Sequence, residues 1–565
     1  MNPTDSNAEW IEADGLGGFA SGTVSGIRSR RYHALLLTAT TPPAGRMVLV
    51  NGFDAWVETP DGTVALSSQR YEPDVIHPDG AARIESFEYE PWPRWRYKID
   101  NDTIIEQELF VPKDESAVFV SWRVVGGIGD AGEPGSPTPA TADITLKVRP
   151  FLSGRDFHST HHENGGFRFD ADQNGEGVTF RSYDGVPAVM AHSNGRYAHE
   201  PAWYRNFLYS EEQARGLDAV EDLASPGVFE FSLSHKPAVL MLAAEGHATT
   251  HIESIEARYA QVRTIEQARR KYFSGPLERA ADAYLVKRGK GKTLIAGYPW
   301  FGDWGRDTFI AIRGLCIATG HLEDARDILL AWAGVVSQGM LPNRFPDSGE
   351  QPEFNSVDAS LWYIIAVNDY LLAAEKQPSL TDDCPCTSFE SKFWNEHVGY
   401  LADVIDCDHQ PGVIDLTFRP NQIFAVGGLP LMLLSKEKAR RVVDAVEMLL
   451  LTPIGLRSLA PGEPGYAPHY QGDSRARDSV YHQGTAWPWL IGAFVEAWVR
   501  VRGNTEAAKQ EARARFLEPL DRHLGEAGLG HISEICDAES PHTPRGCPFQ
   551  AWSLGERLRL ELSVL

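Results

Sequence analysis

Apolar and polar positions follow two different periods along this chain. From Glu9 to about Thr250, short alternating segments recur, among them Arg31 to Thr38 (RYHALLLT), Ser116 to Val125, Ile144 to Pro150 and Ala238 to Ala243, broken by Gly, Pro and Asn-Gly turns. A period of two puts every second side chain on one face and predicts an N-terminal all-β region, a large antiparallel β-sandwich. The run Gly126 to Ala142 is rich in Gly, Pro and Thr, has too few apolar residues to bury, and reads as a surface loop. From Ile252 onward the period becomes helical. Helices are predicted over 253–271, 276–288, 307–319, 322–339, 356–376, 421–434, 436–451, 483–501, 506–523 and 549–560. Such a series of helices predicts antiparallel hairpins arranged as an all-α toroid, with the loops at one end building a site. The boundary is expected inside the first helix, giving a β-sandwich domain over 1–258 and a helical domain over 259–565.

The densest stretch is Tyr298 to Ile310, YPWFGDWGRDTFI, with five aromatics and three charged residues in thirteen positions. With a helix starting near Gly305, the charges of Asp303, Arg306 and Asp307 are spaced to meet at its first turn. Two readings fit that spacing. One is a helix cap with a local Asp–Arg pair over core aromatics; the other is a sugar platform, with rings stacked on a pyranose and charged groups holding its hydroxyls. Phe354 to Trp362 (FNSVDASLW) predicts a helix capped by Asn355 or Ser356, with Asp358 in its first turn and Trp362 one turn later on the same face. An acid placed only to suit the helix dipole fits equally well. Gly528 to Pro548 is a long segment of little regular pattern whose acids are Glu534, Asp537 and Glu539, and loops of that length are usually functional or disordered.

At 565 residues the chain expects two or more domains. A formal charge of −24 argues against nucleic acid or an anionic membrane as partner and suits a neutral polysaccharide, as do fifteen Trp. No apolar run reaches the ~18 residues of a membrane span, and MNPTDSNAEW lacks the features of a signal peptide, so a cytoplasmic protein is expected. Six Cys are too sparse for a disulfide framework, and Cys384-Pro-Cys386 lacks metal-pair spacing, so no metal site is expected. Gly289 to Thr293 (GKGKT) lacks the spacing of a phosphate loop, has no predicted strand before it, and reads as a basic linker.

Taken together, several stretches resemble the bacterial and archaeal glycogen-debranching enzymes, the amylo-α-1,6-glucosidase group of inverting glycoside hydrolases. Glu9 to Leu37 (EWIEADGLGGFASGTVSGIRSRRYHALLL) resembles the start of that family's β domain. Ala296 to Leu315, FNSVDASLW, Phe418 to Val426 (FRPNQIFAV), Tyr481 to Trp489 (YHQGTAWPW) and His531 to Glu556 resemble motifs of its catalytic domain. The resemblance implies a β-sandwich followed by an (α/α)6 barrel, no cofactor, and a branched α-glucan such as glycogen or limit dextrin as substrate. It implies Glu534 as general base, with Asp303, Trp304, Arg306 and Asp307 lining a glucose subsite. Asp358, Trp362, His482, Trp487, Gln550 and Trp552 fall in motifs bordering the same pocket.

The chain departs from the family between the predicted helix ending near Lys376 and Phe389. There, relatives carry a longer segment with a TWMDAK-like motif that supplies the general acid, whereas this chain has only QPSLTDDCPCTS. The expectation is a toroid lacking helices near 377–390 and a site without its usual acid. Asp307 and Asp358 are the acids placed near the pocket, and capping or hydrogen-bonding roles predict low pKa values for both. An α-1,6-glucosidase and a catalytically impaired α-glucan-binding protein therefore both remain open, and a scaffold without a sugar site leaves the aromatic cluster unexplained.

Overall fold

Alternating segments of the N-terminal half pair into two antiparallel sheets, seen in a computed structural model that describes residues 7–60, 62–126, 144–175, 177–234, 236–246, 254–345, 352–374 and 386–565. The first sheet runs in the order Glu9–Ala13, Phe19–Thr23, Ala34–Thr41, Ala44–Thr59, Thr145–Asp156, Val220–Ser232, Arg196–Leu208, Gln69–Tyr71 and Val75–His77, with Gly62–Ala65 on Ala44–Thr59. The second runs Ala171–Asn174, Gly177–Phe180, Val189–Ser193, Ala238–Ala244, Ala117–Gly126, Thr103–Phe110, Arg94–Lys98 and Ile84–Glu88. Inward side chains of both, such as Val50, Val148 and Phe229 of the first and Ile105, Val120 and Leu240 of the second, form one apolar core. The expected loop 126–142 lies, beyond Gly126, outside the described residues.

Two compact units result, Met1–Ser274 with Val286–Gly289, and Gly275–Leu285 with Lys290–Leu565. Residue 258, where the boundary was expected, falls inside the helix Ile255–Tyr272. That helix stays with the sheets because Ile255 and Val262 bury against Phe110, Phe119 and Met241. Capping fixes its start, with Ser254 Oγ accepting from the Ala257 N–H.

The second unit is mostly helical, with differences from the sequence reading that trace to local breakers. The stretch 276–288 forms only the helix Pro276–Asp282 followed by a strand, Leu285–Arg288. A strand therefore does lead into Gly289 to Thr293, and a second, Gly291–Leu294, follows, so the expected linker is a turn between strands. The helix expected over 421–434 is a single short 3-10 turn, Pro420–Ala425, because Gly427, Gly428 and Pro430 follow it. Pro488 likewise delays the helix of 483–501 to Leu490–Val501 and leaves Ala486–Trp487 as a strand. The helix of 322–339 ends at Ala333. Cys384, and most of the segment 377–390, lies outside the described residues.

Four helices position the site. In spatial order they are Ala359–Ala373, Gly305–Ile312, Ala551–Arg559 and Leu490–Val501. Their N-terminal ends carry Asp358, Asp307, Gln550 with Trp552, and Trp489. Their opposite ends meet a cavity of about 620 Å³ lined by Asp369, Arg500 and Arg559 among others. The helices therefore run side by side in one direction. A Cβ on Gly314 would stand 1.7 Å from the Gly555 carbonyl oxygen, so glycine is what lets the middle two approach.

Candidate active site

Short strands tie sequence-distant motifs together at the N-terminal ends of these helices. Leu456–Arg457, Ala486–Trp487, Ile535–Cys536 and Pro544–Arg545 form a four-stranded sheet, which sets the strand after Glu534 beside the strand that carries Trp487. The long loop 528–548 is thus ordered by pairing. Gly297–Tyr298 pairs with Phe549–Gln550, which brings Gln550 to the helix beginning at Gly305. Glycine is required again at Gly546, where φ is +65° and a Cβ would stand 2.5 Å from Glu534 Oε2.

Glu534 is buried and held by two donors. The Tyr481 hydroxyl donates to Oε1, and the Cys547 backbone N–H donates to Oε2 at 2.9 Å. Asp307 is buried in the first helical turn, and Gln550 Nε2 donates to its Oδ2 at 3.2 Å. The expectation of a low pKa for Asp307 is overturned. Burial pushes it up to about 7, with the charges of Glu534 and Asp358 adding to the rise and Arg306 opposing it. The sequence shows the cap position but not the depth of burial, which is the larger effect.

Aromatic rings form a continuous wall. Trp362 meets Trp489 at 6.0 Å between centroids, Trp489 stacks on Trp552 at 5.3 Å, Trp552 meets Trp487 at 6.1 Å, and His482 stacks on Trp487 at 5.0 Å. Arg306 lies over Trp552, its guanidinium carbon 5.9 Å from the ring centroid. Of the residues expected at the pocket, Asp307, Arg306, Trp362, His482, Trp487, Gln550, Trp552 and Glu534 belong to this connected set. Trp304 does not join the wall by ring contact; it packs on Phe301 and under Arg344. Asp303 is buried one residue before it. Asp358 precedes its helix instead of lying in the first turn, accepts from Ser356 Oγ at 2.6 Å, and faces Arg306 at 3.7 Å. Sequence reasoning missed Tyr481 and Trp489. Both lie in YHQGTAWPW, but Tyr481 meets its partner 53 positions away, which no spacing rule reports.

The fold defines a class. Over 99% of this chain and 94% of the other, the structure is similar to that of a bacterial glucoamylase complexed with acarbose, with a TM-score of 0.55 and 12% identity, a likeness of fold alone. Mannosylglycerate hydrolase from Thermus thermophilus aligns over 45% of this chain and 47% of its own, with a TM-score of 0.22 and 12% identity. The glucoamylase likeness shows the fold: sheets followed by helices, with buried acids and a tryptophan wall gathered at one end of the helices.

More particularly, the chain belongs to the glycogen debranching enzyme family. The family's N-terminal region matches residues 8–240, and its amylo-alpha-1,6-glucosidase region matches 279–386 and 385–559. Glycogen debranching enzyme of Saccharomyces cerevisiae is 37% identical over 84 residues, 14% of this chain and 5% of the yeast protein. The match therefore spans a small part of that relative's length.

Proposed function

We propose that this chain hydrolyses α-1,6-glucosidic branch stubs of glycogen or limit dextrin with inversion. Glu534 takes a proton from the water that attacks the anomeric carbon. The observation that carries this reading is Glu534 itself, held as an acceptor by Tyr481 and the Cys547 N–H against the tryptophan wall. An inverting hydrolase pairs such a base with a carboxyl that keeps its proton. Among the described acids of the pocket, Asp307 has the environment for that second role. Trp362, Trp487 and Trp552 offer faces to a sugar ring, and Asp303, Trp304, Arg306, Asp358, His482 and Gln550 complete the subsite. Trp552 Nε1 and Arg306 Nε are buried without a protein partner among the described residues, which suits contact with substrate hydroxyls. The reaction so described needs no metal or cofactor.

The second reading is an α-glucan-binding protein impaired in hydrolysis. It is favoured by the amylo-alpha-1,6-glucosidase match, which comes in two stretches meeting at 385–386, the break expected if a segment is missing there. The four co-directional helices then stand as an (α/α)6-type toroid short of helices. Leu361 and Ile364, 57% and 63% exposed on Ala359–Ala373, are apolar positions that a neighbouring helix would cover.

Glucose release from branched limit dextrin tests the first reading. Glu534→Gln should lower it ~10²-fold or more, the usual cost of losing a general base, while glucan binding persists. Activity within about threefold of the parent removes Glu534 from that role. Turnover of α-glucosyl fluoride, whose leaving group needs no proton, without turnover of dextrin supports the impaired reading.

A further inference from the structure

The segment Glu9 to Leu37 supplies Trp10, Ser21, Thr23 and Arg28 to a cavity inside the first unit, remote in sequence from every residue of the candidate active site. The space open to the centre of a water-sized sphere there is about 80 Å³. That is room for one small molecule or a few waters. Arg28 is only 7% exposed, its guanidinium carbon lying 4.8 Å from the Phe207 ring centroid, yet of its nitrogens only Nη2 has a hydrogen-bond partner among the described residues, Gln69 Oε1 at 3.1 Å. Its Nε and Nη1 have none among the described residues. Asn51, 1% exposed, spends Nδ2 on Glu221 at 3.4 Å and leaves Oδ1 without a donor. Unmet donors and an unmet acceptor therefore line one cavity, a costly arrangement unless something fills it.

Three further observations select the occupant. A Cβ on Gly52 would stand 3.5 Å from both Nε and Nη1 of Arg28, so the missing side chain there leaves the approach to the guanidinium open. Trp10 and Trp95, edge to face at 5.7 Å, supply apolar wall. Burial raises the pKa of Asp54 while Arg28 acts to lower it, and Glu221, which accepts from Asn51, is ion-paired with Arg155, so two acids stand near the cavity and disfavour an anion. A molecule with hydroxyl groups, which accept from Arg28 and donate to Asn51, satisfies every unmet atom without adding charge.

We propose that this cavity binds one small neutral polyol, no larger than a single sugar, through Arg28 and Asn51. The proposal stands whether or not Glu534 performs the chemistry given above. Equilibrium dialysis of the full chain with labelled glucose as probe tests it by counting molecules bound. Arg28→Met and Gly52→Ala should each lower the count by one per chain, whereas Asp307→Asn, in the other unit, should leave that molecule in place. Gly52→Ala keeps every charge and Arg28 itself, so it carries the test if Arg28→Met fails to fold. An equal count in wild type and a folded Gly52→Ala overturns the proposal, and the cavity then holds water only. A count that falls in Asp307→Asn alone overturns it too, while supporting the active-site reading.

Discussion

Asp307→Asn should stabilise the protein at alkaline pH while removing its activity. The folded pKa of Asp307 stands at about 7 against an ordinary 3.8. Between about pH 4 and 7 the folded chain therefore binds more protons than the unfolded one, and stability falls as pH climbs through that window. Three units at 1.36 kcal/mol each set an upper value of about 4 kcal/mol for keeping the buried carboxylate charged above pH 7. An amide has no charge to bury and can still present an oxygen to Gln550 Nε2. About one unit of the penalty is already present at pH 5, so the gain from Asn at pH 8 should exceed the gain at pH 5 by about 2 to 3 kcal/mol. At roughly 2 °C per kcal/mol for a unit of this size, thermal unfolding should show a difference of about 5 °C between the two pH values. Glucose release from limit dextrin, measured on the same samples, should be lost. In wild type it should fall above about pH 7 as Asp307 gives up its proton. Equal stability gains at both pH values would refute the argument from burial. Retained activity with an unchanged alkaline limb would refute the proton-donor role.

Three other outcomes can be checked alongside. Tyr481→Phe removes a donor from Glu534, so kcat should drop about tenfold or more and the acid limb of the pH profile should move up; an unmoved limb disconnects Tyr481 from the base. Trp552→Ala should weaken limit-dextrin binding by ~1 to 3 kcal/mol, and by more than Trp304→Ala, whose ring sits on Phe301 and under Arg344; the reverse order in calorimetry would move the sugar away from the wall. In the first unit, Asp14 is buried with its pKa raised to about 7 by that burial, its Oδ1 accepting from the Leu16 and Gly18 N–H groups at 2.7 and 3.0 Å and its Oδ2 without a hydrogen-bond partner among the described residues. Asp14→Asn should raise the melting temperature at pH 8 but not at pH 4, with hydrolysis unchanged, and a pH-independent shift would contradict this.

Period and motif alone determined a good deal. The strands Ala117–Gly126 and Ala238–Ala244 were legible because alternation is a local property, and the helices Lys436–Leu449 and Ala551–Arg559 because their apolar stripes are local too. Motif order also carried the family, and Trp487, Gln550 and Glu534 stand in stretches that the fold brings together. Helix extent near Gly427 and Pro488 depended on breakers whose effect the periodic pattern hides. Only the tertiary structure decided that Tyr481 donates to Glu534 and that Trp362, Trp489, Trp552 and Trp487 join into one wall, because those contacts span up to 190 positions of chain from Trp362 to Trp552. The raised pKa of Asp307 was likewise invisible in sequence. First-turn spacing suggests a charged cap, but desolvation is the sum of every atom packed around the carboxyl, and those atoms come from residues distant in sequence, such as Gln550.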